Sequence, residues 1–201
     1  DKAKTIMAEQ KKLLLESGTE LAYDVLVIAT GTRVDPSMTE GLLGADWRKD
    51  VFDYYTPDGA EALRQAMEKF QGGDLVVQIM EMPIKCPVAP LEFTFLSDEY
   101  FKKRKLRDKV NIKYVTPLSA AFTKPVAAEK LSHLLAERNV EVVTDFLVEK
   151  VDPEANTINC YDGRTVHYDL LVTIPMNVGA EFLKGSELVN EVGFVEVEKT
   201  T

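Results

Sequence analysis

The feature that most constrains this chain is an internal repeat. Gly18, Leu21, Tyr23, Asp24 and the run Val25-Leu26-Val27-Ile28 align without a gap on Gly163, Val166, Tyr168, Asp169 and Leu170-Leu171-Val172-Thr173, each pair 145 residues apart. The register extends backward, placing Ile6 opposite Val151 and Leu13 opposite Ile158. In the second copy, Asp152-Pro153 and Asp162-Gly163 are turn signals between short alternating runs. That decides the reading of residues 5–16, which alone would pass for a short amphipathic helix. Both copies read as a β-hairpin (meander) arm feeding a buried parallel strand.

Between the copies the pattern alternates strand and helix. Thr56-Pro57-Asp58 supplies a hydroxyl N-cap and a proline in the first turn. Ala60, Leu63, Ala66, Met67 and Phe70 then recur at helical spacing, and Gly72-Gly73 stop the helix. Residues 75–80 form a buried-strand candidate, 88–105 a helix, 111–115 a strand, 125–138 a helix, and 140–143 and 146–151 strands. This alternation implies an α/β, three-layer Rossmann-like fold with a mostly parallel sheet, helices on its faces and the hairpin arm.

The repeat also gives a domain reading. The second arm begins about 76 residues after the strand that starts at Asp74, so the same layout would put the first copy's opening strand roughly 70 residues before Asp1. The expectation is a piece of a larger two-domain protein. Residues 1–33 are the C-terminal tail of the first domain, 34–73 a linker with a helix, and 74–176 a second dinucleotide-binding-like domain. Residues 177–201 are a return segment toward the first domain.

Composition narrows the function classes. The 201 residues carry 24 Lys and Arg against 33 Asp and Glu, a formal net charge of −9. Binding to nucleic acid needs concentrated positive charge, so none is expected. An apolar fraction of 45% supports a sizeable core in a soluble chain. Apolar runs are only of strand length, so no membrane span is expected, and Asp1 opens no signal-peptide pattern. Two cysteines, Cys86 and Cys160, are too few for a disulfide scaffold. With His133 and His167 they show no ligand spacing, so no metal site is expected.

Two segments are placed for chemistry. Ala29-Thr30-Gly31-Thr32 follows the run Val25–Ile28, and Gly31 permits a positive φ and close approach to a ligand beyond a strand end. The loop after residues 75–80 reads Glu81-Met82-Pro83-Ile84-Lys85-Cys86-Pro87-Val88-Ala89-Pro90. A pyrophosphate-binding loop there would read Gly-x-Gly-x-x-Gly, but this one has no glycine and three prolines, which lack the N–H donors. NAD(P) is therefore not expected. Cys86 stands just before a helix start and beside Lys85, a setting that favours a thiolate, although a buried inert cysteine is the ordinary alternative. Cys160 pairs with Leu15 of the first copy and reads as packing. The run Lys102-Lys103-Arg104-Lys105 reads as a solvated helix C-terminus.

The stretch Tyr23-Asp24-Val25-Leu26-Val27-Ile28-Ala29-Thr30-Gly31 resembles a signature of flavoproteins with two dinucleotide-binding domains. Lys85-Cys86-Pro87-Val88-Ala89-Pro90, the helix running to Tyr100-Phe101, Val115-Thr116-Pro117-Leu118 and Thr173-Ile174-Pro175-Met176 resemble the sulfide:quinone oxidoreductase family within the FAD-dependent pyridine nucleotide-disulfide oxidoreductases. The flavin subunit of flavocytochrome c sulfide dehydrogenase has a similar cysteine loop. Other pyridine nucleotide-disulfide or NADH-linked reductases, and a non-catalytic Rossmann-like interaction module, are the alternatives.

The resemblance implies an enzyme that oxidises sulfide to polysulfur and passes electrons through FAD to a quinone. It assigns Cys86 as the catalytic redox thiolate. It places Thr30, Gly31, Pro175 and Met176 near FAD, and the family's second redox cysteine beyond Thr201. Peripheral membrane contact would come through segments outside this chain, and a homo-oligomer is possible. This piece alone is expected to be soluble, inactive and without firmly held FAD.

Overall fold

The structure, a computed structural model, describes residues 1–44 and 46–198. The chain divides into two compact units, one of residues 1–33 and 177–201, the other of residues 34–176. The two-residue strands β4 (Arg33–Val34) and β13 (Asn177–Val178) occur where the chain passes from one unit to the other.

The first unit contains a three-stranded antiparallel meander, β1 (Ala3–Met7), β2 (Lys12–Leu15) and β3 (Glu20–Ala22). The second contains β9 (Val148–Asp152), β10 (Thr157–Cys160) and β11 (Thr165–His167), likewise a three-stranded meander. The repeat is exact in both strand bounds and pairing. Ile6 faces Leu13 and Leu13 faces Leu21, as Val151 faces Ile158 and Ile158 faces Val166. Even the register slip recurs, where Ala3 meets Leu15 and Val148 meets Cys160.

The second unit is built on a five-stranded parallel sheet in the order β5 (Val51–Phe52), β12 (Leu170–Ile174), β6 (Gly73–Ile79), β7 (Val110–Val115), β8 (Val140–Val143). Every neighbouring pair is parallel. The helices are α1 (Pro57–Lys69), α2 (Ala89–Lys103) and α3 (Pro125–Glu137). Thr56 caps α1 as expected, its hydroxyl accepting the Gly59 N–H at 3.1 Å, with Pro57 in the first turn.

Side chains alternate across the sheet as strand geometry requires. Leu75, Val77, Ile79, Ile112, Tyr114, Leu170, Val172 and Ile174 join helix residues such as Leu63, Leu91, Phe101 and Leu135 in one core. Val76, Val115 and Leu171 face the other way and meet Val151, Ile158, Cys160, Val166 and Tyr168 of the meander. The layers are therefore helices, sheet and meander. All three helices contribute to the first of these cores, while the apolar stripe of the meander covers the other face. Cys160 is packed in that second core, 3% exposed.

Two expectations are overturned. The helices, expected on both faces of the sheet, pack on one, and the meander takes the other. The run Val25–Ile28 is neither a strand nor buried: Val25 is 82% and Val27 81% exposed. Its counterpart Leu170–Ile174 is buried throughout because β5 and β6 flank it on both sides. Among the described residues no strand pairs with residues 25–28, so an apolar run suited to a sheet interior finds no sheet. A smaller difference is that the strand expected over 146–151 starts at Val148, leaving Phe146 as a fully buried core residue before it.

The basic run after α2 is also more than a solvated face. Arg104 donates to the carbonyls of Met67 at 2.7 Å and Glu68 at 2.9 Å, closing the last turn of α1. Lys102 pairs with the buried carboxylate of Asp98 at 2.6 Å.

Candidate functional site

Parallel strands bring their C-terminal ends to one edge, and the chain segments that leave them gather there. In the second unit these are Asp53-Tyr54-Tyr55 after β5, the loop of residues 80–88 after β6, Thr116 after β7, and Pro175-Met176 after β12. β6 and β12 stay paired to their ends, with Ile79 opposite Ile174 and the Met80 N–H donating to the Ile174 carbonyl at 3.1 Å. Cys86, Pro175 and Met176 thus leave from adjacent central strands at the same edge. Thr30 and Gly31 belong to the other unit.

Cys86 is partly exposed and unpaired with Cys160. It stands three residues before Ala89, the first residue of α2, and its carbonyl accepts the Ala89 N–H at 3.2 Å. The same carbonyl accepts the Tyr55 hydroxyl at 2.8 Å. Two donors on one carbonyl fix the peptide that follows the cysteine. Among the described residues no side chain caps α2, and Pro87 before the helix and Pro90 within its first turn contribute no N–H. The backbone here does not make the amide cradle that a pyrophosphate requires.

Tyr55 and Tyr54 sit on a turn that is itself anchored. The Asp53 carboxylate, 1% exposed, accepts the Thr56 N–H at 2.8 Å and hydroxyl at 2.9 Å, and pairs with Arg48 at 2.9 Å. Tyr54 stacks on Phe93 of α2 with ring centroids 5.0 Å apart, and meets Tyr55 edge-on at 5.3 Å. Burial, reinforced by the neighbouring Cys86, pushes the Tyr55 phenol up to about 12, so it remains a donor at neutral pH. Burial also pushes the Tyr54 phenol well above its ordinary value. Among the described residues the enclosed Tyr54 hydroxyl has no hydrogen-bond partner.

Nothing in the sequence pattern singles out these tyrosines themselves, because residues 34–73 read as a linker with a helix. The available signal was the spacing of Asp53 and Thr56, an aspartate three residues before a helix cap, which marks an Asx-type turn that holds what lies between them in place.

A second polar group lies at the opposite edge, where the strands begin. Ligand atoms of Asp74, His167 and Asp169 lie within 4.8 Å of one another, a grouping that their sequence spacing did not show. Lys113 donates to the Asp74 carboxylate at 2.9 Å and Asn111 at 3.1 Å, so an ammonium already supplies the positive charge there. In the first unit, Thr30 and Gly31 are exposed, and Gly31 has φ +64° with open space where a side chain would stand. Nearby, the Thr32 hydroxyl meets the Asn177 side chain at 3.3 Å. Met176 is partly exposed and Pro175 buried.

No family model matches the chain. The mitochondrial sulfide:quinone oxidoreductase of Schizosaccharomyces pombe is 28% identical to it over 207 aligned positions, covering 98% of this chain and 45% of that protein. The mitochondrial enzyme of the same name from Mus musculus is 27% identical, covering all of this chain and 46% of that one. The crystal structure of the sulfide:quinone oxidoreductase of Aquifex aeolicus superposes with a TM-score of 0.77 at 23% identity, over 97% of this chain and 47% of that one. The chain is similar in sequence, along nearly its whole length, to these sulfide:quinone oxidoreductases. It spans less than half the length of each of these proteins. As in that relative, its architecture is the Rossmann-like α/β class expected from the sequence.

Proposed function

We propose that the chain is part of an FAD-dependent enzyme that oxidises sulfide and passes the electrons to a quinone, with Cys86 as the redox thiol. The observation that carries this reading is the placement of Cys86. It is a partly exposed cysteine at the C-terminal edge of the central strands, held through its carbonyl by Tyr55, in a chain related along its length to sulfide:quinone oxidoreductases.

The chemistry suits the residue. A thiolate attacking a sulfur–sulfur bond forms one S–S bond and releases one thiolate, so the exchange balances without an outside oxidant. The first turn of α2 begins at Ala89, three residues after Cys86. FAD, when bound, supplies the two-electron acceptor that carries electrons on to the quinone. Thr30, Gly31, Pro175 and Met176 are assigned to it. Gly31 fits close approach, being exposed, left-handed and unobstructed. Val25–Ile28 leads into that segment and, by its equivalence to β12, is assigned as a sheet strand of the FAD domain in the whole protein. Residues 74–176 are assigned as the second, dinucleotide-type domain, with a loop that does not suit a pyrophosphate, and residues 34–73 as a linker that lends it β5 and α1.

Peripheral membrane contact, where the quinone is found, is part of the same reading. Among the described residues no helix is long and apolar enough to cross a membrane. The test is optical. The full-length gene product is expected to be yellow, and sulfide should bleach its flavin absorbance. A colourless protein, or a flavin band unmoved by sulfide, contradicts the proposal.

A further inference from the structure

We propose that Tyr55 is a positioning residue for Cys86, locking the thiol's direction by holding the Cys86 carbonyl; its role in turnover rests on the redox reading above. Ile84 anchors the loop in the helix-side core, and two donors hold the carbonyl of Cys86. The loop's prolines remove amide donors at positions 83 and 87, and the next donor to Cys86 is the Ala89 N–H at 3.2 Å. The Tyr55 hydroxyl at 2.8 Å is the shorter of the two bonds on that carbonyl.

Tyr55 in turn is held by a closed circuit of contacts. The Asp53–Thr56 turn sets its backbone. Its ring meets Tyr54 edge-on, Tyr54 stacks on Phe93, and Phe93 belongs to the helix that begins just after Cys86. A shift of the cysteine loop therefore has to strain either the turn after β5 or the packing of α2. Because β5 sits at the edge of the sheet and the loop leaves its centre, the tyrosine spans from one to the other across β12. A group that exchanges S–S bonds needs such fixed aim, since small misplacements of a reacting atom are costly.

The test compares the wild-type protein with Tyr55→Phe, which keeps the ring and removes only the donor. Site-resolved alkylation by iodoacetamide, followed by mass spectrometry, reads Cys86 separately from the buried Cys160. Loss of one hydrogen bond should speed Cys86 alkylation roughly three- to tenfold while Cys160 stays unreactive. In the FAD-loaded protein, kcat for sulfide should fall by a similar factor with KM for the quinone unchanged, whereas a purely structural role would leave that split flat. Wild-type alkylation of Cys86 in folded Tyr55→Phe overturns the proposal. If that variant does not fold, hydrogen exchange of the Ala89 amide in the unmodified protein decides. Protection supports a held loop, and exchange at the rate of an open loop overturns it. Cys86→Ser separates the two claims. Sulfide turnover retained in Cys86→Ser ends the redox reading, whereas a dead Cys86→Ser beside an unchanged Tyr55→Phe ends only the positioning claim.

Discussion

Val27 and Val172 occupy the same position in two copies of one motif, yet Val27 is 81% exposed and Val172 is fully buried. The arms before them share strand bounds and register, so the difference comes from the neighbours that β5 and β6 provide on one side only. Burial is thus a property of what the sheet supplies rather than of the run itself. In this chain Val27→Asp should change stability by no more than about 0.5 kcal/mol, as for an ordinary surface position. Val172→Asp, which puts a charge into the core between the sheet and the helices, should prevent cooperative folding. Urea denaturation followed by circular dichroism checks both, and equal effects from the two substitutions would contradict the assigned burial.

Asp98 tests the electrostatics of the helix layer. Its carboxyl is 3% exposed and takes Lys102 at 2.6 Å and Arg107 at 2.7 Å. Burial opposes its ionisation, but those hydrogen bonds win and hold its pKa below the ordinary carboxylate range. A depressed folded pKa gives stability that is present above the unfolded value, near 4, and lost as pH falls through the folded one. Asp98→Asn should therefore cost about 3 kcal/mol at neutral pH, by leaving Arg107 facing an uncharged partner in a nearly closed site. The deficit should shrink as the wild type is acidified, measured by denaturant midpoints across the acid range.

Tyr54 gives the opposite sign. Among the described residues its enclosed hydroxyl has no partner, so the protein already bears the desolvation cost. Tyr54→Phe keeps the stack on Phe93 and should be neutral or stabilising by up to about 1 kcal/mol. Thermal unfolding reads this directly, and a loss above that size would mean that the hydroxyl has a partner.

Arg104 links two helices through backbone acceptors rather than carboxylates. Arg104→Lys retains the charge but not the planar fork that reaches the Met67 and Glu68 carbonyls. It should lower stability by about 1 kcal/mol and raise hydrogen exchange in the last turn of α1. Unchanged exchange there would show that the charge alone suffices.

Much of the fold was legible because the signals were local or repeated. Thr56-Pro57 marked a helix start, and the glycine, tyrosine and aspartate of each copy fixed the meander's register through turns. What the pattern could not carry was three-dimensional company. Val25–Ile28 has the composition of a central strand, and nothing in those residues says whether partners are present. Tyr55 was missed because its role lies in a bond to a residue 31 positions away. Asp74 and His167, 93 positions apart, likewise meet only once β6 and the meander are in place. For Cys86, the loop without glycine before a helix pointed to the thiol, and the structure adds the tyrosine that holds it.

The most direct measurement is sulfide-driven bleaching of the flavin in the full-length protein carrying Cys86→Ser, followed by stopped-flow absorbance beside the wild type. The variant is expected to stay yellow, with FAD bound, and to lose at least about a hundredfold in bleaching rate, as when the nucleophile itself is removed. Bleaching at the wild-type rate would contradict the assignment of Cys86 and the redox function built on it.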